Sequence, residues 1–274
     1  MSFQHLRAVI LDWAGTTVDF GSRAPVIALQ QVFHKAGIAL AESEARRDMG
    51  LLKKDHIRAI LNQPRVRADW ESLHGARPEE SDTERLFTEF LPAQTGVLEA
   101  HSGVIPGVAA AVEKWRCAGL RIGSTTGYTR DLMEIVTARA SREGYAPDAC
   151  VTPDMVGGGR PLPFMMYRNA IDLRAWPLWA CVKIGDTPVD AREGVNAGAW
   201  SIGITQTGNE VGLSEDQLAA LSAEQRLQRI ADAEQTLRGA GAHFVAASLA
   251  QCGELLEAID RSLAAGHGPW EAHR

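Results

Sequence analysis

Long apolar runs are missing from this sequence. A membrane-spanning helix needs about 20 consecutive apolar residues, whereas the run that opens the chain, Ala8–Leu11, stops at Asp12. It is also shorter than the ~7–15-residue core of a secretory signal. Cysteine is sparse: the 4 present, Cys117, Cys150, Cys181 and Cys252, show no CxxC spacing. That pattern speaks against a disulfide framework or a zinc site, and three of them have the apolar neighbours of reduced core residues in a cytoplasmic protein. Surplus positive charge is lacking too. With 28 Lys+Arg against 34 Asp+Glu the net charge is −6, which excludes nucleic-acid binding through a broadly basic surface. Lysine itself is scarce, with Lys35, Lys53, Lys54, Lys114 and Lys183 set among many arginines. The glycine-rich stretch Gly157-Gly158-Gly159-Arg160-Pro161 lacks the Gly-Lys-[Ser/Thr] ending of a nucleotide-binding P-loop. No internal repeat or low-complexity tract occurs.

What is present is a composition 45% hydrophobic and 23% charged over 274 residues, enough for one large domain or two ordinary ones with a real core. Short apolar runs recur at Arg7–Asp12, Leu120–Thr125, Ala149–Thr152, Ala180–Asp186, Trp200–Thr205 and His243–Ala246. Several do not alternate, as strands covered on both faces should not. Helical periodicity separates them: Ile105 to Trp115 after Pro106, Thr129–Gly144, Pro161–Leu173, Pro188–Gly198 and Ser248–Ala265. The expected fold is α/β, a doubly wound parallel sheet of Rossmann-like type. Between about Gly21 and Ala100 the rhythm breaks. Helical stretches at Pro25–Ala36, Ser43–Arg47, Lys54–Leu61, Val66–His74 and Glu79–Val97 occur with no convincing strand, too much chain for a simple crossover. The expected division is a core of residues 1–20 and 101–274 interrupted by a helical domain at 21–100. The tail from His267 to Arg274 is expected to fray.

Reactive groups in open α/β sheets collect beyond the carboxyl ends of strands. Asp12, Thr125-Thr126, and Asp186 with Asp190 all fall at such ends, and Arg160 lies in a loop entering a helix. Singly, each reads as a cap or turn residue. Together they suit phosphoryl transfer: Asp12 as nucleophile, Asp12 and Asp186 as holders of a hard divalent cation, Thr126 and Arg160 on the phosphoryl oxygens.

Asp12-x-x-Gly15-Thr16, Thr126, Arg160 and Gly185-Asp186-x-x-x-Asp190, in that order, resemble the motifs of the haloacid dehalogenase superfamily of aspartate-nucleophile phosphotransferases. The inserted helical segment then corresponds to that superfamily's cap. One position departs from its phosphatases: where they carry a second Asp that protonates the leaving oxygen, this chain has Ala14. Asp12-Trp13-Ala14-Gly15-Thr16-Thr17, Met49-Gly50-Leu51-Leu52-Lys53-x-Asp55-His56 and Gly123 to Thr129 are similar to the phosphonatase family within the superfamily, along nearly the whole chain.

That resemblance implies cleavage of the carbon–phosphorus bond of phosphonoacetaldehyde to acetaldehyde and phosphate, with Lys53 forming a Schiff base and Asp12 an aspartyl phosphate. It implies Mg²⁺ on Asp12, Asp186 and the Ala14 carbonyl, with Asp190 orienting metal-bound water. Met49, His56 and Tyr128 would surround the imine, and Asp19 would lie at the hinge. A homodimer through the cap is implied as well, and the apolar Val26, Ile27, Leu29, Val32 and Phe33 could form either that contact or the cap's own core. The amine has to be neutral to condense, so the Lys53 pKa should be lowered, with Lys54 and a helix N-terminus both expected to contribute and desolvation under a closed cap expected to add to them. Two rivals remain: a phosphomonoesterase of the same superfamily, and a non-catalytic protein that binds phosphorylated ligands.

Overall fold

The computed structural model describes residues 2–271. Six strands, β1 (Ala8–Leu11), β2 (Arg121–Thr125), β3 (Ala149–Val151), β4 (Cys181–Gly185), β5 (Trp200–Ile204) and β6 (Phe244–Ala246), form one sheet in the order β3-β2-β1-β4-β5-β6. Every pairing is parallel, with Ala8 level with Arg121 on one side and with Cys181 on the other. The central strands β1, β4 and β5 are buried at every position, which is why they read as continuous apolar runs. Strand order reverses at β1, so the crevice between the carboxyl ends of β1 and its neighbours is the natural place for a ligand.

After β1 the chain runs through five helices with no strand among them before it returns to the sheet: α1 (Ala24–Lys35), α2 (Glu42–Arg46), α3 (Lys53–Leu61), α4 (Pro64–His74) and α5 (Glu80–His101). They share a buried apolar cluster of their own, built on Leu29, Val32, Phe33, Ile57, Ile60, Trp70 and Phe90. The main sheet cluster, with Val9, Leu11, Val182, Ile184 and Ile202, is separate from it. The chain enters the insertion through Asp19, Gly21 and Ser22, all at positive φ (55°, 83° and 49°). The Asp19 carboxylate accepts the Ala24 N–H at 2.9 Å, holding the first turn of α1, and burial pushes its pKa up to about 7.

The remaining helices, α6 (Val108–Cys117), α7 (Arg130–Arg142), α8 (Phe164–Asp172), α9 (Pro188–Asn196), α10 (Glu215–Ala219), α11 (Ala223–Gly239) and α12 (Gly253–Ala264), cover the sheet. Four details differ from expectation. Helix α8 starts three residues late, after Pro161 and Pro163. The stretch from Ser248 breaks at Cys252 into a 3₁₀ turn and α12. Residues 206–242, given no element by periodicity, contain α10 and α11; α11 buries only Ala233 and Leu237, so its apolar stripe is too thin to register, although Ser222 and Gln225 form a capping box at its start. The tail does not fray as far as it is described: Pro269–Glu271 is a 3₁₀ turn with Pro269 buried and Trp270 edge-on to Trp179. Residues 272–274 of that expectation lie outside the described residues.

Of the apolar positions on α1, Val26, Leu29, Val32 and Phe33 are buried inside the chain's own helical cluster, whereas Ile27 stays partly exposed. Replacing Leu29 by Ala should cost about 2–5 kcal/mol of stability through the cavity it leaves, read as a lower urea midpoint; an unchanged midpoint would show that the helical cluster contributes nothing to folding.

Candidate active site

Asp12 follows β1 directly, and the turn from Trp13 to Val18 folds its own backbone onto the strand end: Thr17 Oγ1 donates to the Asp12 carbonyl at 2.9 Å. Gly15 sits in this turn at φ 84°, and a Cβ there would lie 2.2 Å from Asp186 Oδ2. A glycine is what allows the turn to press against the carboxylate at the end of β4. Thr16 Oγ1 donates to Asp186 Oδ1 at 3.0 Å and the Asn209 N–H to Oδ2 at 2.8 Å. Asp190 is the third residue of α9, in a capping box with Thr187.

Carboxylate oxygens of Asp12, Asp186 and Asp190, all buried, lie within 4.8 Å of one another. Burial, then repulsion from Asp12 and Asp190, pushes the Asp186 carboxyl well above its usual range. Oxygen donors that crowd at the cost of their own ionisation fit a hard divalent cation. Asp190 is the least available of the three. Its Oδ1 is ion-paired with Arg160 Nη1 and Lys183 Nζ, both at 2.9 Å, and Oδ2 accepts from Thr187 Oγ1. Burial alone would raise its pKa, but the two cations hold it below the usual carboxylate value. Asp190 is thus tied into a charge network with Arg160 and Lys183. Ala14 lines the same cleft, and its carbonyl accepts no hydrogen bond from any described residue.

Arg160 reaches into the same group of carboxylates. Nη2 donates to Asp12 Oδ1 (2.5 Å) and Thr125 Oγ1 (2.9 Å), and Nε donates to Glu193 Oε2 (3.1 Å). Thr126 lines the cleft and accepts the Tyr128 N–H at 3.0 Å. Two buried participants were not singled out in the sequence, Lys183 and Glu193. Lys183 Nζ donates to Thr125 Oγ1 at 2.8 Å and lies 3.3 Å from Glu193. The available signal was a lysine in the middle of the otherwise apolar run Cys181–Gly185, since an unpaired lysine is not buried.

From the helical insertion comes Lys53, the first residue of α3, 3% exposed. The preceding loop fits closely against the core: a Cβ on Gly50 would lie 2.6 Å from Thr187 Oγ1, and one on Gly127 3.0 Å from the Leu51 carbonyl. Lys53 Nζ is 3.7 Å from Met49 Sδ and 5.4 Å from the centre of the Tyr128 ring. Burial lowers its pKa to about 8, against the opposing pull of Asp12 and Asp186. Lys54 takes no part. It is on the next face of the helix, paired with Glu84 and, at 3.3 Å, with Glu80. His56 is buried behind Lys53 with Nε2 2.9 Å from the Ala45 carbonyl; burial, then the Lys53 charge, lowers its pKa to about 3, so it stays neutral.

Asp12, Ala14, Met49, Lys53, Thr126 and Arg160 line one cavity of about 20 Å³, room for about one water; His56 and Tyr128 stand behind its wall. A far larger groove of about 890 Å³ lies at the opposite end of the sheet, lined by Trp176, Trp179 and Trp270. It is apolar and holds no convergent catalytic groups, so size does not mark the chemistry here. Replacing Lys183 by Met leaves Asp190 and Glu193 short of a buried cation and should cost about 3–5 kcal/mol; a thermal unfolding midpoint equal to that of the unaltered protein would contradict this account.

Residues 6–198 match the haloacid dehalogenase-like hydrolase family. The chain is 45% identical over 264 residues to a phosphonoacetaldehyde hydrolase of Syntrophobacter fumaroxidans, covering 96% of this chain and 95% of that one. It is 40% identical over 256 residues to a phosphonoacetaldehyde hydrolase of Bacillus cereus, covering 93% and 97%. The crystal structure of a phosphonoacetaldehyde hydrolase-like protein from Oleispira antarctica superposes with a TM-score of 0.95 at 38% identity, covering 98% of each chain. Sequence similarity of this extent and the shared fold together place the chain in the phosphonoacetaldehyde hydrolase family of the haloacid dehalogenase-like hydrolases.

Proposed function

We propose that this protein hydrolyses the carbon–phosphorus bond of phosphonoacetaldehyde, using Lys53 and Asp12 from opposite walls of one cleft. The observation that carries the reading is a buried lysine with a pKa near 8 on the same cavity as a strand-end aspartate, together with alanine at position 14. An oxygen leaving group benefits from an acid at that position. A carbon leaving group needs an electron sink instead, and an amine condensed with the aldehyde supplies one.

Neutral Lys53 attacks the aldehyde carbon and, with loss of water, forms a protonated imine. Asp12 attacks phosphorus; the C–P electron pair passes into the iminium, so the organic fragment departs as an enamine and the phosphoryl group stays on Asp12. Water hydrolyses the aspartyl phosphate to phosphate, the enamine takes a proton at carbon, and imine hydrolysis returns Lys53 and acetaldehyde. Arg160 and Thr126 bind phosphoryl oxygens. Met49 and the Tyr128 ring pack the amine in an environment that favours its neutral form. Asp12, Asp186 and the Ala14 carbonyl would hold Mg²⁺, which when bound offsets the negative charge of carboxylates and phosphoryl group. The helical insertion, residues 21–100, would act as a cap that lifts to admit substrate, since about 20 Å³ is too little space for it. The four free cysteines support a cytoplasmic setting, where thiols stay reduced.

Lys53→Arg should abolish both products and the borohydride-trapped adduct, because a guanidinium does not form the imine. Asp12→Asn should abolish phosphate release while leaving the adduct on Lys53. Trapping should weaken progressively as the pH is lowered through about 8, since protonation removes the nucleophilic lone pair. Full turnover by Lys53→Arg, measured as phosphate and acetaldehyde together, would overturn the imine mechanism, whereas turnover of p-nitrophenyl phosphate or sugar phosphates indifferent to Lys53→Arg would favour an ordinary phosphomonoesterase.

A further inference from the structure

Arg46 lies at the end of α2, outside the cleft, with its side chain 12% exposed. Its guanidinium makes a fork of contacts across the junction between the helical insertion and the core. Nη1 donates to the carbonyls of Gly21 (2.8 Å) and Ser22 (3.3 Å) and to Asn209 Oδ1 (3.2 Å). Nη2 donates to the Gly212 carbonyl and to Glu42 Oε1, both at 2.7 Å. Gly212 is at φ 69°, and a Cβ there would lie 2.6 Å from Arg46 Nε, so the loop is shaped to receive this side chain. The acceptors are mostly neutral carbonyls at fixed angles. What they select is the planar donor fork, beyond a positive charge alone.

Asn209 carries the contact inward. Its side-chain amide donates to the Arg46 carbonyl at 3.2 Å while its oxygen accepts from the Arg46 guanidinium. Its backbone N–H donates to Asp186 Oδ2 at 2.8 Å. One buried residue therefore holds the helical insertion through its side chain and the Asp186 carboxylate through its backbone. The hinge carbonyls of Gly21 and Ser22 meet at the same guanidinium.

We infer that Arg46 and Asn209 are positioning residues that form a clasp, docking the insertion onto the hinge and the 209–212 loop and setting the orientation of Asp186 in the same event. This rests on the reading of the insertion as a cap over Asp12. On that basis, Lys53 is brought to the cleft only when the carboxylate at the end of β4 is also in place, so imine formation and phosphoryl transfer become competent together.

The test is a double-mutant cycle with Arg46→Lys, which keeps the charge and loses the fork, and Asn209→Ala, which keeps the backbone N–H. Each single variant is expected to lower kcat/KM for phosphonoacetaldehyde by about tenfold or more and to raise the Mg²⁺ concentration for half activation. The double variant should lose no more than the worse single one, because both break the same linkage. In Mg²⁺-free protein, amide exchange at residues 19–23 and 209–212 should quicken in both variants while the sheet amides keep their protection. Wild-type kinetics and exchange in Asn209→Ala would overturn the inference. So would activity falling only in proportion to the folded fraction, or strictly additive losses. Should Arg46→Lys fail to fold, Asn209→Ala decides by the same measurements. Failure of the unaltered protein to cleave phosphonoacetaldehyde would instead sink the functional reading, and the exchange measurement would still judge the clasp.

Discussion

Three buried carboxylates within 4.8 Å of one another repel strongly, and much of the surrounding structure is arranged around that repulsion. Asp12 and Asp186 stand at the carboxyl ends of adjacent strands because β1 and β4 pair in parallel at the point where strand order reverses. Asp190 follows on the first turn of α9. Against them the fold buries Arg160, Lys183 and Lys53, three cations taken from a loop, a strand and the helical insertion. Pairing does not relieve every member equally. Asp190 is held ionised by its two cations, whereas Asp186, supported by Thr16 and the Asn209 N–H, remains pushed toward its neutral form. A site left short of positive charge at one carboxylate is suited to a divalent cation.

The same desolvation acts in the opposite sense on Lys53. An amine is disfavoured as a cation when buried, so the environment that crowds the carboxylates also lowers the lysine to about 8. Of the causes expected from sequence, burial is the main one and Lys54 is not among them. Lys54 is engaged with Glu80 and Glu84 on another face, and Arg160 is a minor contributor beside burial. Burial depends on the insertion lying against the core, with Gly50 and Gly127 leaving room for the backbones to meet. The lowered Lys53 pKa is in this sense a property of the junction between the two parts of the chain.

Much of this was legible in the amino-acid order. Apolar runs stopping at Asp12 and Asp186 are strand ends, and a helical stretch free of strands after the first of them is an insertion; both signals are local and need no partner to be read. Helix α11 was not legible, because a mostly exposed helix has little apolar periodicity. Lys183 and Glu193 were missed since a charge in an apolar strand or a helix face reads as exposed until its burial is known. The apolar positions of α1 could be counted but not assigned: whether Leu29 and Phe33 meet a second chain or α5 depends on which helix packs over them.

The sequence alone determined the α/β class, the order of the chemical groups along it, and the substitution of alanine where a leaving-group acid would be. These follow from short continuous apolar runs, from the 3.6-residue periodicity between them and from residue identity, which are properties of short stretches. Only the tertiary structure decided which charges are buried together, that Asp190 is bound to cations, that Lys53 is set apart from Lys54, and that Arg46 reaches through Asn209 to Asp186. Those outcomes depend on distance and dielectric between residues far apart in the chain, and neither quantity exists until the chain has packed.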